Sequence, residues 1–211
     1  MPAQFIGVVI AIGTAHLVAY YGGLHVVAGV LKPLPVLLLA WAVWSLGDVT
    51  PTYRALLASG LVFSAMGDVS LVFHRGFLAG LSSFFVAHLC YITAFAAGAR
   101  GGSSATLVAV GLVVFAVAML AYLWPYVARR RGPIVAYVAV LTTMVWCAVA
   151  RALTPGALAG AGAAAAGSLS FLVSDGALAV NRFARPFAGA HGVVMVTYYA
   201  AQLLIAASAL I

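Results

Sequence analysis

Acidic residues are almost missing from this chain: its 211 residues hold three, Asp48, Asp68 and Asp175. All charged residues together make up 6%, against about a quarter in an ordinary soluble domain. Hydrophobic residues reach 66%, and mean hydropathy is +1.18. This balance excludes a soluble globular domain and leaves the membrane as solvent. Cysteine is as scarce. Cys90 and Cys147 stand alone in apolar runs, with no CxxC pair and no Cys/His cluster. That excludes a disulfide framework and a zinc knuckle, and leaves two small buried hydrophobes. No GxSxG elbow, HExxH helix, phosphate loop or dinucleotide fingerprint is present. The five histidines, His16, His25, His74, His88 and His191, are scattered. A zinc site built from His88, Asp68 and His191 is the weaker reading, and neither metal nor cofactor is expected.

The net charge of +7 invites a nucleic-acid partner. The basic residues, however, stand singly or as the one triplet Arg129, Arg130 and Arg131, in short gaps between apolar runs. That is the loop pattern of an integral membrane protein. The opening "MPAQFIGVVI" has no positive region ahead of its apolar residues, so a retained membrane helix is expected there rather than a cleaved signal peptide.

A spanning helix needs about 20 apolar residues. Eight such runs are present, at about 4–21, 31–47, 54–73, 77–98, 105–123, 133–151, 158–180 and 189–210. They lack the alternation of barrel strands. The expected fold is all-α: one transmembrane domain, residues 1–211, built as a bundle of eight helices with loops too short for a soluble insert. The odd-numbered loops hold Lys32, Arg75, Arg129, Arg130, Arg131, Arg182 and Arg185; the even-numbered ones hold Arg54, Arg100 and Arg151. The excess places the odd loops in the cytoplasm and both termini outside. Trp41 and Trp44 mark one membrane face, and Tyr20, Tyr21, Trp124 and Tyr126 the other. The Ala/Gly/Arg-rich composition points to a bacterial inner membrane.

Two of the three acids fall inside apolar runs, in "FSAMGDVSLVF" and "SFLVSDGALAV". A carboxylate within hydrocarbon costs at least about 2.5–3.5 kcal/mol, so such residues face the bundle interior and carry function by default. The competing reading is a structural ion pair, Asp68 with Arg75 two turns on. Asp48, in "GDVTPTYR", reads as a solvated turn residue. The segments "GDVSLVFHR" and "SDGALAVNR" both read small-Asp-x-x-Leu-x-x-x-Arg, and the aspartates are 107 residues apart. Tyr91 and Tyr198 each follow their aspartate by 23 residues. Helices 3–4 and 7–8 are therefore expected to form a parallel repeat about an axis along the membrane normal, aiming both acids at one cavity.

Other polar residues are weaker signals taken singly. Lys32 at a helix start reads equally as a snorkelling side chain. His88 is mid-helix, where a hydrogen-bonded packing role is common, and Tyr91 lies one turn on along the same face. Tyr198, Tyr199 and Gln202 make a similar stripe, although tyrosines near a membrane face are usually belt residues. Ser64 and Ser174 beside the acids suit backbone bonding or small packing sites. "GFLAG" and "GALAG" have the GxxxG spacing of close helix packing.

Taken together, "KP" at 32–33, "FSAMGD" at 63–68, "FLAGLSSFFVAHLCY" at 77–91, "FLVSDGALAVNRF" at 171–183 and "YYAAQLLI" at 198–205 resemble the YhhN-like lysoplasmalogenase family. Helices 1, 5 and 6 add only apolarity. The resemblance implies an eight-helix membrane hydrolase that cleaves the vinyl ether bond of a lysophospholipid substrate. Its products would be a fatty aldehyde and a glycerophospho-ethanolamine or -choline. It implies Asp68 and Asp175 as an acid/base pair, with a lean towards Asp175 as the acid because Arg75 would keep Asp68 ionised. His88, Tyr91 and Gln202 would orient water or the hemiacetal, and Tyr198 and Tyr199 would bind the substrate. Lys32, with Arg182 or Arg75, would hold the phosphate. The alternative readings are a small proton-coupled transporter, since two intramembrane acids and a parallel repeat suit one, and a lipid-binding membrane protein with structural ion pairs.

Overall fold

Residues 3–47, 49–73 and 75–209 are described by a computed structural model. The turn role expected of Asp48 therefore lies outside the described residues, as does His74. Every regular element among the described residues is helical. In chain order these are α1 (Ala3–Tyr21), α2 (His25–Leu31), α3 (Leu34–Trp44), α4 (Pro51–Val72), α5 (Phe77–Ala96), α6 (Ser103–Val127), α7 (Arg131–Leu153), α8 (Ala161–Ala179) and α9 (Ala190–Ala207). A 3₁₀ turn, Ala128–Arg130, joins α6 to α7, and a π turn, Val180–Ala184, extends α8. Seven segments of the described residues are long and apolar enough to cross a membrane. One of them, Ser103–Leu153, contains both α6 and α7. Outward-facing residues such as Val26, Leu107 and Val18 are apolar, the reverse of a soluble surface. The protein is a multi-pass integral membrane protein.

The helices fall into two compact units, 1–94 with 209–211 and 95–208. In the first, α1 packs on α2 and α3, and α3 packs on α4. α4 starts where Pro51 takes the first helical position after the extended Thr50, a place where its missing N–H costs nothing. The second predicted span starts earlier than its apolar run. His25–Leu31 is already helical, and Pro33, which has no N–H to donate, interrupts the ladder between α2 and α3. α5 lies against α4 through glycine. A Cβ on Gly60 would come within 2.3 Å of the Tyr91 ring, and one on Gly67 within 2.6 Å of the Phe84 ring. The Ser83 hydroxyl adds a 2.6 Å bond to the Phe63 carbonyl.

In the second unit α6, α7, α8 and α9 pack in sequence, each on the next. α8 and α9 approach closely where a Cβ on Gly167 would meet the Ala201 carbonyl at 2.9 Å. Ser170 and Ser174 on α8 donate across to the Thr197 and Val194 carbonyls of α9, at 2.8 and 3.0 Å. α6 runs on through Pro125 to Val127, beyond its expected end. The "GALAG" stretch is not a helix-packing motif. It is the turn before α8, and Gly156 and Gly160 adopt φ of 71° and 83°, which a side chain would resist.

Candidate active site

The last two turns of α4 carry the first buried charge. Gly60, Ser64 and Asp68 repeat every fourth residue and share one buried stripe. Asp68 is 1% exposed. Its cation is Lys32, with Nζ 3.3 Å from Oδ1. Helix contact explains the pairing. Gly29 on α2 faces Val72 on α4 so closely that a Cβ would stand 3.1 Å from the valine methyl. Lys32 lies one turn beyond Gly29, and Asp68 one turn before Val72. The glycine contact and the ion pair are thus successive rungs between the same two helices. The ion pair expected with Arg75 is not the one observed. α4 ends at Val72 and Phe73 is extended, so Arg75 leaves the helical register that would have carried it back to Asp68. It is exposed in the turn before α5.

On α5, His88 and Tyr91 are both fully buried. The Tyr91 ring packs on Gly60, and its phenol is beside the Ser64 hydroxyl, one turn before Asp68. α1 adds His16, which is buried and close enough to Lys32 for the charge to act on it. Nothing in the sequence of α1 marks His16, because only the fold brings it near the lysine.

Asp175 lies in the other unit, half-buried on α8. The phenol of Tyr137, a buried residue of α7, donates to its Oδ2 at 2.5 Å. Tyr137 was not legible as a site residue, being one of nine tyrosines and 38 residues from the acid. One turn before Asp175, Phe171 meets Tyr198 edge-on, with centroids 5.5 Å apart. Tyr199 adjoins Tyr198 at 5.7 Å, and Gln202 is fully buried one turn further along α9. Arg182 is exposed on the π turn. Lys32, Asp68, His88 and Tyr91 therefore belong to the first unit, and Asp175, Tyr198, Tyr199 and Gln202 to the second. Among the described residues no three His, Cys, Asp or Glu side chains are grouped to hold a metal ion.

Two further cations differ from simple loop residues. Arg151 is buried in the last turn of α7, where its stem packs 3.3 Å from the place a Cβ of Gly98 would take. Arg54 lies in the first turn of α4, bonded to the Leu46 carbonyl and 5.7 Å over the Trp44 ring.

Spanning helices that bury a lysine–aspartate pair and carry a half-buried, tyrosine-bonded aspartate define an integral membrane protein with polar chemistry within its helices. Its sequence relationships agree in scale. The YhhN family model matches residues 27–209, and the chain belongs to the YhhN family. Lysoplasmalogenase TMEM86B of Homo sapiens is 39% identical over 183 residues, which covers 87% of this chain and 75% of that protein. The Sus scrofa protein of the same name is 36% identical over 182 residues, 86% and 75% of the two chains. A lysoplasmalogenase of Mycobacterium bovis is 30% identical over 165 residues, 73% of this chain and 60% of its own. No solved structure matches the chain.

Proposed function

We propose that this protein is a lysoplasmalogenase: it hydrolyses the vinyl ether bond of a lysoplasmalogen to a fatty aldehyde and a glycerophospho-ethanolamine or -choline. The observation that carries this reading is the 39% identity to a named lysoplasmalogenase across 87% of the chain. The chemistry suits the residues. A proton added to the β-carbon of the vinyl ether gives an oxocarbenium ion, water captures it as a hemiacetal, and collapse releases the aldehyde and the glycerol hydroxyl. As in glycoside cleavage, such a reaction uses one carboxylic acid and one carboxylate. Asp68 and Asp175 are the two carboxyl groups within spanning helices.

Lys32 holds Asp68 as a carboxylate, suited to stabilise the cation and activate water. Asp175 is the proton donor in this reading, and the Tyr137 phenol, which donates to its Oδ2, positions it. His88, Tyr91 and Gln202 orient water and hemiacetal, and Tyr198 and Tyr199 bind the substrate. Lys32 has three donors, so with one on Asp68 it can still meet the substrate phosphate together with Arg75. The lipid chain lies along the apolar outer faces of the helices.

The 51-residue Ser103–Leu153 segment, at 1.5 Å per residue, would extend about 77 Å, far beyond a hydrocarbon core of about 30 Å. We therefore read α6 and α7 as two crossings, joined at Ala128, where φ is 22°. That makes eight, with both termini outside a bacterial plasma membrane. Gly60 and Gly167, spaced 107 residues like the aspartates and each at a close helix contact, support the parallel repeat.

The test is product analysis in D₂O. Purified protein incubated with a lysoplasmalogen should release aldehyde carrying one deuterium at C2, and leave a saturated alkyl-ether lysolipid untouched. Folded protein that yields no aldehyde would overturn the proposal.

A further inference from the structure

Unit 2 contains seven arginines and one aspartate, a strong excess of positive charge. Five of the arginines are exposed where α6 meets α7 and along the π turn that extends α8: Arg129, Arg130, Arg131, Arg182 and Arg185. An apolar cluster fixes this arrangement. Leu123 and Val127 of α6 and Ile134 of α7 are buried together, and Ala179, Phe183 and Ala184 from the end of α8 pack against them. The π turn is thereby pinned beside the 3₁₀ turn, and Arg130 stands close enough to Arg182 for the two charges to act on each other. Two cations near enough to influence each other repel, and an anion between them offsets that repulsion. Guanidinium groups suit phosphate oxygens in particular.

The depth of the cluster identifies the source of that phosphate. The Arg131 guanidinium lies 4.4 Å over the Trp124 ring, and Tyr122 and Tyr126 pair nearby with centroids 6.2 Å apart. Such aromatic residues mark the headgroup level of a bilayer. Basic clusters at that level attract anionic lipids.

We propose that these arginines form a binding site for an anionic phospholipid of the surrounding bilayer, whose phosphate lies between Arg130 and Arg182. The site is separate from the hydrolytic chemistry and does not depend on it.

Native mass spectrometry of the purified full-length protein, titrated with phosphatidylglycerol or with phosphatidylcholine, tests this. Phosphatidylglycerol should bind more tightly. Each arginine contributes about fivefold in affinity. The Arg129→Gln/Arg130→Gln variant should therefore bind it roughly 25-fold more weakly, and Arg182→Gln about fivefold more weakly. Arg129→Lys/Arg130→Lys keeps the charge and should retain most of the preference, which separates lost charge from misfolding. Added salt should weaken phosphatidylglycerol binding. Equal affinity for the two lipids, or no loss in the Gln variants, would overturn the proposal. So would displacement of the lipid by millimolar inorganic phosphate, which would make the site one for a free anion. A raised KM for lysolipid in phosphatidylcholine vesicles with Arg129→Gln/Arg130→Gln would also contradict it, by assigning the cluster to the substrate.

Discussion

Replacing Lys32 by Met strands a carboxylate. The Asp68 side chain is 2% exposed and that of Lys32 13%, so water cannot take over the role of the ammonium. Removing one partner of a buried ion pair costs about 3–5 kcal/mol, mostly for the charge left behind. For a chain of about 200 residues, each kcal/mol moves the melting point by about 2–4 °C, giving a fall of about 6–20 °C. Asp68→Asn added to Lys32→Met removes the stranded charge and should recover most of that loss, because replacing both members of a buried pair is often close to neutral. The assay is thermal unfolding of all four proteins in one detergent, read as a double-mutant cycle. A Lys32→Met variant melting within about 2 °C of its parent would refute the reasoning. So would a double variant whose loss equals the sum of the single losses.

Two other changes address the site. Tyr137→Phe removes the phenol that donates to Asp175. A hydrogen bond to a neutral carboxylic acid is worth about 0.5–1.5 kcal/mol, so kcat should fall roughly 2- to 13-fold with KM little changed, read by steady-state kinetics. Gly60→Ala puts a methyl group 2.3 Å from the Tyr91 ring. Overpacking of this kind costs about 1–3 kcal/mol, and Tyr91→Leu in the same chain should recover part of the lost thermal stability.

The sequence made the spanning helices plain because hydrocarbon demands long apolar runs, and charge rarity alone singled out Asp68 and Asp175. Partners were harder to read. Sequence proximity offers Arg75 to Asp68, but that pairing needs α4 to continue past Val72, and the chain turns extended at Phe73. Lys32 precedes Asp68 by 36 residues and reaches it through the close approach of Gly29 to Val72. Tyr137 has no local signature at all; an inward tyrosine on an apolar helix looks like packing until Asp175 is seen beside it. The misread ends have local causes as well. Pro33 splits the second span without ending it, and a proline near the end of α6 does not stop that helix, because it already sits in the last turn with only two residues beyond it. Arg54 and Arg151 counted as loop cations in the sequence, yet each belongs to a helix end and packs against a neighbour.

The central claim is that the two intramembrane aspartates carry vinyl ether hydrolysis. The direct measurement is mass spectrometry of lysoplasmalogen incubated with wild-type protein and with the Asp68→Asn and Asp175→Asn variants, each checked for folding. General acid or base groups contribute roughly 10²–10⁴-fold, so wild type should release fatty aldehyde and both variants should fall at least a hundredfold below it. A folded Asn variant that keeps more than about a tenth of wild-type turnover would contradict the account.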